Sequence, residues 1–160
     1  MDEPEDHALG RSRGGYGTKF HLVCDSRGNP LAIEISPGQR HDSKVFEEAM
    51  NAVRIPQRGA PPLRRPKRLA ADKGYSYGWI RKWLRRHKIE PVIPTRSNQP
   101  RETSFDKPTY RSRNIVERCV GWLKAARRVG TRYEKLARNF LAMLKLAMLR
   151  RLLRVLVNTT

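Results

Sequence analysis

The sequence predicts a mixed α/β domain, and two observations carry that prediction. Segments with the alternating apolar pattern of strands are interspersed with segments of helical periodicity, in the order β-β-α-β-α-β-α-α. The length of 160 residues is enough for one domain with its own apolar core and too short for two. We therefore expect one domain in which strands and helices share a core.

The predicted fold begins with a β-hairpin. Residues 18–24 alternate between two faces, a turn rich in small polar residues follows, and residues 30–36 form the second strand. His21 lies on the first strand, and a structural role is its simplest interpretation. Residues 1–17 have closely spaced glycines and no apolar period. They predict a flexible lead-in to a domain that spans residues 18–157.

A helix and then a loop are expected after the hairpin. Asp42 or Ser43 is placed to cap the helix, although His41 with Asp42 could instead suggest metal ligation. Capping is the simpler interpretation of the two. Residues 54–68 contain four prolines and six basic residues, and they predict a loop without regular structure.

The first candidate site residue is Asp72. It ends a short strand predicted over residues 68–72, and a glycine turn follows it at once. Folds of the α/β class place site residues at the carboxyl ends of strands. The alternative is that Asp72 only caps the helix predicted over residues 77–87, which precedes a short strand at residues 90–94.

The second candidate feature lies on a helix predicted over residues 110–124, with Asp106 and Pro108 as its expected start. At about 100° per residue, one narrow stripe of that helix carries four polar side chains, opposite an apolar face: Tyr110, Arg113, Glu117 and Lys124. A carboxylate flanked by a phenol, a guanidinium and an ammonium could hold a metal ion and bind phosphates. The alternative is the solvated face of an amphipathic helix. A final helix is predicted over residues 132–157.

The charge of the chain is its most informative compositional feature. Lys and Arg number 34 against 15 Asp and Glu, which gives a formal net charge of +19. Such an excess predicts a polyanionic partner, most often nucleic acid, and an affinity that falls with salt. An RNA-binding protein would fit the charge as well, but the tryptophans have core-like helical spacing and predict no stacking platform.

The cysteines, the amino terminus and the most apolar run indicate the cellular compartment. Cys24 and Cys119 are far apart, with no CxxC and no histidine at ligand spacing, which argues against a zinc site and fits a reducing cytoplasm. The acidic, then glycine-rich start does not have the pattern of a signal peptide. The most apolar run, residues 140–157, includes four cations and is too charged to span a bilayer. We therefore expect a cytoplasmic protein without a membrane partner.

The candidate residues resemble those of the DDE transposases of bacterial insertion sequences, in the group with a Tyr-x2-Arg-x3-Glu-x6-Lys signature. That spacing is matched without a gap by Tyr110, Arg113, Glu117 and Lys124. Further blocks are similar to those of the family, and the last of them corresponds to the block with the second catalytic aspartate: residues 10–22, 37–43 and 71–75. The resemblance covers residues 8–150 and corresponds to the C-terminal catalytic portion.

The resemblance implies an RNase H-like fold and metal-dependent phosphoryl transfer on DNA, with strand cleavage and strand transfer. Three carboxylates would bind two divalent ions, normally Mg²⁺, about 4 Å apart. Asp72 would be the second carboxylate and Glu117 the third. DNA contacts are implied for Tyr110, Arg113, Lys124 and Lys73. The implied partners are transposon ends and target DNA in the nucleoid, with a homodimer in the transposition complex.

The chain departs from the family pattern at the first catalytic aspartate. In the family that residue lies on a strand before the hairpin, whereas residues 1–17 show no strand pattern and include Asp2 and Asp6 in the wrong kind of segment. We therefore expect an incomplete RNase H-like fold, without the first strand and the amino-terminal DNA-recognition domain. Loss of a central strand would expose the edges of its neighbours and favour aggregation.

Two explanations fit this departure. The chain is either the downstream reading frame of a split gene, completed by fusion to the product of an upstream frame, or a truncated relic. In both cases we expect the isolated chain to be inactive. A non-catalytic DNA-binding regulator, which competes with a full transposase, is the alternative function.

Overall fold

The structure, a computed structural model, describes residues 7–12, 14–100 and 105–157, and these form a mixed α/β fold. The predicted fold class is therefore confirmed at that level. The strands are β1 (Gly10–Ser12), β2 (Gly15–Cys24), β3 (Pro30–Pro37), β4 (Ile55–Gln57), β5 (Ala60–Leu63), β6 (Arg68–Ala70) and β7 (Glu90–Val92). The helices are α1 (Phe46–Ala52), α2 (Gly78–Arg86), α3 (Lys107–Arg111), α4 (Asn114–Lys124), α5 (Arg127–Gly130) and α6 (Ala137–Val157).

The predicted hairpin is formed by β2 and β3. The strands pair antiparallel from Thr18 opposite Pro37 to Cys24 opposite Pro30. Asp25 closes the turn, because its carboxylate accepts hydrogen bonds from the backbone amide and the side chain of Asn29. An aspartate that bonds to the backbone of its own turn is a common way to fix a reversal of the chain.

The predicted lead-in is wrong where the structure describes it. Residues 1–6 and 13 lie outside the described residues, but β1 and the first residues of β2 pair antiparallel, from Gly10 opposite Gly17 to Ser12 opposite Gly15. The glycines serve close approach as well as freedom. A Cβ on Gly10 would overlap the side chain of Gln39, and a Cβ on Gly38 would lie 2.6 Å from the Gly10 carbonyl oxygen. The ordered part of the chain thus begins before residue 18.

The proline-rich segment over residues 54–68 also differs from its prediction. It contains the two-stranded hairpin β4–β5, with Ile55 opposite Leu63 and Gln57 opposite Ala60. The prolines of β5 lie between these paired positions, so the ladder does not need their missing N–H groups. Gly59 supplies the left-handed backbone of the turn, with φ of 70°.

The helix after the hairpin is capped by a different residue from those predicted. A 3₁₀ turn over Asp42–Val45 leads into α1, and His41 Nδ1 accepts the hydrogen bond from the Ser43 amide. The other ring nitrogen of His41 lies 3.0 Å from the Tyr77 hydroxyl. Both nitrogens of the imidazole therefore have protein partners, which favours the structural interpretation over metal ligation.

Strands β6 and β7 form a parallel pair, with Leu69 opposite Pro91 and Ala70 opposite Val92. Helix α2 connects them, as parallel strands require a crossover. The predicted strand over residues 68–72 therefore ends earlier, and Asp72 lies just beyond it.

The helix predicted over residues 110–124 is divided into α3 and α4. Asp106 caps α3 by accepting from the Thr109 amide, and Pro108 occupies the first turn, as the sequence indicated. Ser112 and Arg113 between the helices keep right-handed helical backbone angles. The predicted final helix over residues 132–157 begins later, with α6 at Ala137, after the short helix α5.

Two apolar clusters form the core. One joins α1, α2 and the region of β7: Phe46, Met50, Ile80, Trp83, Leu84, Ile89 and Ile93. The other joins β3 to α4, α5 and α6: Ile33, Leu123, Val129, Phe140, Leu144 and Ala147. In the described part of the chain, the helices lack the combination of length and apolar character that a membrane span requires.

Candidate active site

A cavity of about 480 Å³ lies between β2 and β6. Every residue from Thr18 to Cys24 lines it on one side, and every residue from Leu69 to Asp72 lines it on another. The helices contribute apolar side chains, including Phe46 and Met50. The cavity also reaches Arg113 and Lys124 of the predicted stripe.

The strands present their backbone edges to this cavity. Successive side chains of a strand point to opposite faces, so consecutive residues line one cavity only if the strand edge faces it. Strand β3 occupies one edge of β2, and on the other edge the described residues place β1 only against Gly15–Gly17. Strand β6 pairs with β7 alone within the described part of the chain. The cavity therefore separates two strand edges that lack a described partner along most of their length.

Asp72 lies at the end of β6, where the sequence placed it. Its carboxylate accepts a hydrogen bond of 2.8 Å from the Gly74 amide and begins the 3₁₀ turn Lys73–Tyr75. Asp72 thus caps this short turn and not helix α2, which begins after Tyr77 without a side-chain cap. The carboxylate is also exposed and lines the cavity. An exposed carboxylate with one amide partner keeps lone pairs for a cation.

The turn after Asp72 is held by Arg96, a residue that the sequence did not single out. Its Nε donates to the Lys73 carbonyl at 3.1 Å, and its Nη2 donates to the Gly74 carbonyl at 3.2 Å. The same guanidinium lies 4.4 Å from the centre of the Tyr77 ring. The side chain of Lys73, by contrast, is exposed and does not line the cavity.

The predicted stripe brings three of its four residues into contact. Arg113 Nη2 lies 2.7 Å from Glu117 Oε1, one helical turn away. The guanidinium carbon of Arg113 lies 5.6 Å from the centre of the Tyr110 ring, in the range of a cation–π contact. Glu117 occupies the first turn of α4, where a negative charge suits the helix dipole. Tyr110, Arg113 and Glu117 therefore remain neighbours although the predicted helix is divided into α3 and α4.

Lys124 lies at the other end of α4. Its ammonium is 5.9 Å from the centre of the Phe20 ring on β2. Lys124 and Arg113 thus place two cations on the cavity, seven and four residues to either side of Glu117. Glu117 and Tyr110 themselves are not among the residues that line it.

Electrostatics connect Asp72 with the stripe. Burial lowers the pKa of Arg113, but the hydrogen bond that Arg113 donates to Glu117 and the charges of Tyr110, Glu117 and Asp72 outweigh that effect and raise the pKa. Two carboxylates predicted as site residues therefore act on the same guanidinium. Asp72, Arg113 and Lys124 also line one cavity, so the two candidate features found separately in the sequence face the same space.

Other groups on the cavity were not predicted as site residues. His21 is buried, with Nε2 2.8 Å from Ser36 Oγ and Nδ1 3.4 Å from the Tyr75 hydroxyl. Burial lowers the pKa of His21, against an opposing effect of the Asp42 charge. Burial raises the pKa of Tyr75, and the charges of Asp42 and Asp72 add to that. The structural interpretation of His21 is consistent with these contacts.

The carboxylates of the candidate residues could hold a metal ion. Asp72 and Glu117 are both exposed, and carboxylate oxygens are the ligands that Mg²⁺ prefers. Across residues 7–12, 14–100 and 105–157, no group of three or more His, Cys, Asp or Glu side chains is arranged to hold a metal ion. Asp42 also lines the cavity, but Lys19 engages it at 3.0 Å. Cys24 and Cys119 are free thiols.

The comparison with known proteins shows the family of the chain. A family model described as a transposase DDE domain matches residues 3–152. The chain belongs to the DDE transposase family. A putative transposase for insertion sequence element IS402 from Burkholderia cepacia is 36% identical over 132 residues, and a putative transposase for insertion sequence element IS6501 from Brucella ovis is 28% identical over 134 residues. The resemblance to insertion-sequence transposases is therefore confirmed.

The coverage of these relatives differs. Each match covers 81% of this chain, but 60% of the IS402 transposase and 93% of the IS6501 transposase. The chain thus spans less than two thirds of the length of the IS402 transposase. No solved structure matches the chain.

Proposed function

We propose that the chain is the C-terminal portion of a transposase catalytic domain with an RNase H-like fold, and that it acts in DNA transposition by cleaving and joining DNA strands. The observation that carries the proposal is geometric: Asp72 and Arg113 line one cavity, and Arg113 pairs with Glu117 at 2.7 Å. Membership of the DDE transposase family supports it. A site of two carboxylates beside cations suits phosphoryl transfer, in which charge on phosphate oxygens must be balanced.

Asp72 and Glu117 would hold divalent ions, normally Mg²⁺, in this proposal. Such ions supply activation of the attacking oxygen and stabilisation of the leaving oxygen. The protein itself orients Asp72 through the Gly74 amide and Glu117 through Arg113. Both carboxylates are exposed, so they are accessible to an ion and to DNA.

DNA would be bound by the cations and the phenol around these carboxylates. Arg113 and Lys124 line the cavity and would contact phosphates near the reacting bond. Lys73 is exposed beside Asp72, where it would contact the DNA backbone farther from the reacting bond. Tyr110 would orient the backbone through its ring, which already packs against Arg113. The net charge of +19 suits this role.

A further carboxylate would come from an extended segment between β2 and β6. The two strand edges that face the cavity have backbone N–H and C=O groups available for pairing. A strand between these edges would join β3, β2, β6 and β7 in one sheet. An aspartate on such a strand would lie near Asp72, which is at the end of β6. The product of an upstream reading frame, fused to this chain, is the proposed source of that strand.

The experiment fuses the upstream strand-forming segment to the amino terminus and measures Mg²⁺-dependent nicking of supercoiled DNA. The matched control replaces the segment's aspartate with asparagine, which keeps the strand and removes one charge. We expect nicking by the fused chain only, and none by the 160-residue chain or the asparagine control. Robust nicking by the unfused chain that persists in Asp72→Ala and Glu117→Ala would contradict the proposal.

The alternative is a non-catalytic DNA-binding regulator, which the positive charge supports equally. A gel-shift series over salt concentration tests DNA as the partner. Contact with about six phosphates predicts a slope of log affinity against log salt near −5. A flat response would remove DNA as the partner. DNA binding together with failure of the fused chain to nick DNA would favour the regulator. The homodimer and the location on the nucleoid remain part of the transposase proposal.

A further inference from the structure

Helix α6 is apolar on two faces. Its buried face packs into the core through Phe140, Leu144 and Ala147. A second apolar stripe runs along the exposed side, with steps of four, three, four and three residues: Ala142, Leu146, Leu149, Leu153 and Leu156. We call this stripe the leucine seam. Because of this seam, α6 has more apolar side chains than its packing against the rest of the described chain buries.

The leucine seam has the spacing of a helix-pairing surface. Apolar residues at alternating steps of three and four occupy the a and d positions of heptads, and these face a partner helix. The exposed fractions of the leucines are 56% for Leu146, 51% for Leu149, 52% for Leu153 and 65% for Leu156. Isolated exposed leucines are ordinary, but a row of four on one helix forms a contiguous apolar strip.

The charges beside the seam determine which partner fits. With Leu146 and Leu153 at a positions, Lys145 occupies g and Arg150 occupies e. In a parallel pair of two copies, Lys145 of one helix would oppose Arg150 of the other, and in an antiparallel pair centred near Leu149, Arg150 would lie close to its own counterpart. Like charges at these positions disfavour pairing in both orientations. Acidic residues at the same positions would form ion pairs instead.

We propose that the leucine seam of α6 docks an amphipathic helix of another protein, whose apolar stripe is flanked by acidic residues. Of the two flanking cations, Arg150 is the better probe. Burial raises the pKa of Glu34 on β3, and the charge of Lys145 opposes that effect, so Lys145 already has a carboxylate near it. Arg150 is exposed and borders the shallow depression that the seam forms.

The test uses the full chain and a fluorescent peptide of about three heptads, with Leu at a and d and Glu at e and g. One control peptide replaces Leu with Ser at the same charge, and another replaces Glu with Gln at the same apolar content. We expect the Leu/Glu peptide to bind roughly tenfold or more tightly than either control, measured by fluorescence anisotropy.

Variants of the chain complete the test. Leu149→Ser with Leu153→Ser should weaken binding of the Leu/Glu peptide by roughly tenfold or more, and Arg150→Glu should shift preference towards a Leu/Lys peptide. Circular dichroism and the melting midpoint should be unchanged, because these side chains are about half exposed. Loss of helix content would move the test to Arg150→Gln, which keeps the leucines and should still weaken binding of the Leu/Glu peptide.

Three results would overturn the proposal. Equal binding of the Ser peptide would show attraction by charge alone. A leucine-dependent dimer in light scattering that excludes the peptide would assign the seam to a second copy of the chain. Leucine-dependent binding to vesicles that contain anionic lipid, without binding of the Leu/Glu peptide, would assign it to a membrane surface.

Discussion

Arg113 and Glu117 form an ion pair across the first turn of α4, with 2.7 Å between Arg113 Nη2 and Glu117 Oε1. The same guanidinium and the carboxylate of Asp72 line one cavity. A cation of the protein therefore lies among the carboxylates proposed to hold divalent ions. In the proposed site, Arg113 and a divalent ion would compete for the negative charge, whereas a DNA phosphate would attract Arg113 away from it.

Replacement of Arg113 by Gln should strengthen divalent-ion binding. Removal of the competing cation should tighten Mn²⁺ binding by up to about fivefold, the range expected for a partly exposed ion pair. Titration followed by electron paramagnetic resonance measures the free ion. Arg118→Gln is the matched control, since Arg118 is an exposed arginine on the same helix. Equal or weaker ion binding by the Arg113 variant would contradict the competition.

Lys124→Ala should weaken DNA binding and make it less dependent on salt. Loss of one phosphate contact should reduce the slope of log affinity against log salt by about 0.9. Fluorescence anisotropy with a DNA duplex at several salt concentrations measures the slope. Lys82→Ala on α2 removes the same charge from a position that does not line the cavity, and its slope should stay unchanged. An equal decrease of the slope in both variants would mean that Lys124 acts only through its general charge and contradict a phosphate contact at the cavity.

The buried His21 should make stability fall below neutral pH. Burial lowers its pKa from the usual 6.5, so between these values the unfolded chain binds more protons than the folded one. Stability is therefore fully present above about 6.5 and is lost as pH falls towards the lowered value. Urea unfolding at several pH values measures this contribution. His21→Gln should flatten the dependence in that window, and an unchanged slope would contradict the assignment.

Gly38→Ala should destabilise the protein through a steric conflict. A Cβ at this position would lie 2.6 Å from the Gly10 carbonyl oxygen and 2.9 Å from that of Gly17. Backbone atoms yield less easily than side chains, so we expect a loss of about 1–3 kcal/mol in urea unfolding. Gly17→Ala is the control, because nothing lies within 4 Å of its added Cβ. A similar loss in both variants would point to strand flexibility instead.

Local signals in the sequence predicted the elements that depend on neighbours in the chain. Asp25 closes its turn, and Asp106 with Pro108 begins α3, because each acts on residues within four positions. The glycines of residues 10–17 were misread as a flexible segment. Their close approach to Gln39 and Gly38 arises only after folding, and no local pattern records it.

The candidate site was likewise predictable only where it depends on residues close together in the sequence. The stripe of α4 and the position of Asp72 follow from periodicity and from the strand end, but their meeting at Arg113 requires the tertiary fold. Two contacts of the site join residues far apart in sequence, which explains why they were missed. His21 meets Tyr75, and Arg96 holds the turn at Lys73.

The most direct test of the proposed site is the nicking rate of the fused chain in Mg²⁺, compared with its Glu117→Gln and Asp72→Asn variants. Each substitution keeps the size of the side chain and removes the charge that would bind an ion. We expect loss of nicking to background in both variants, with DNA affinity retained in the gel shift. Nicking at an undiminished rate in either variant would contradict the assignment of these carboxylates.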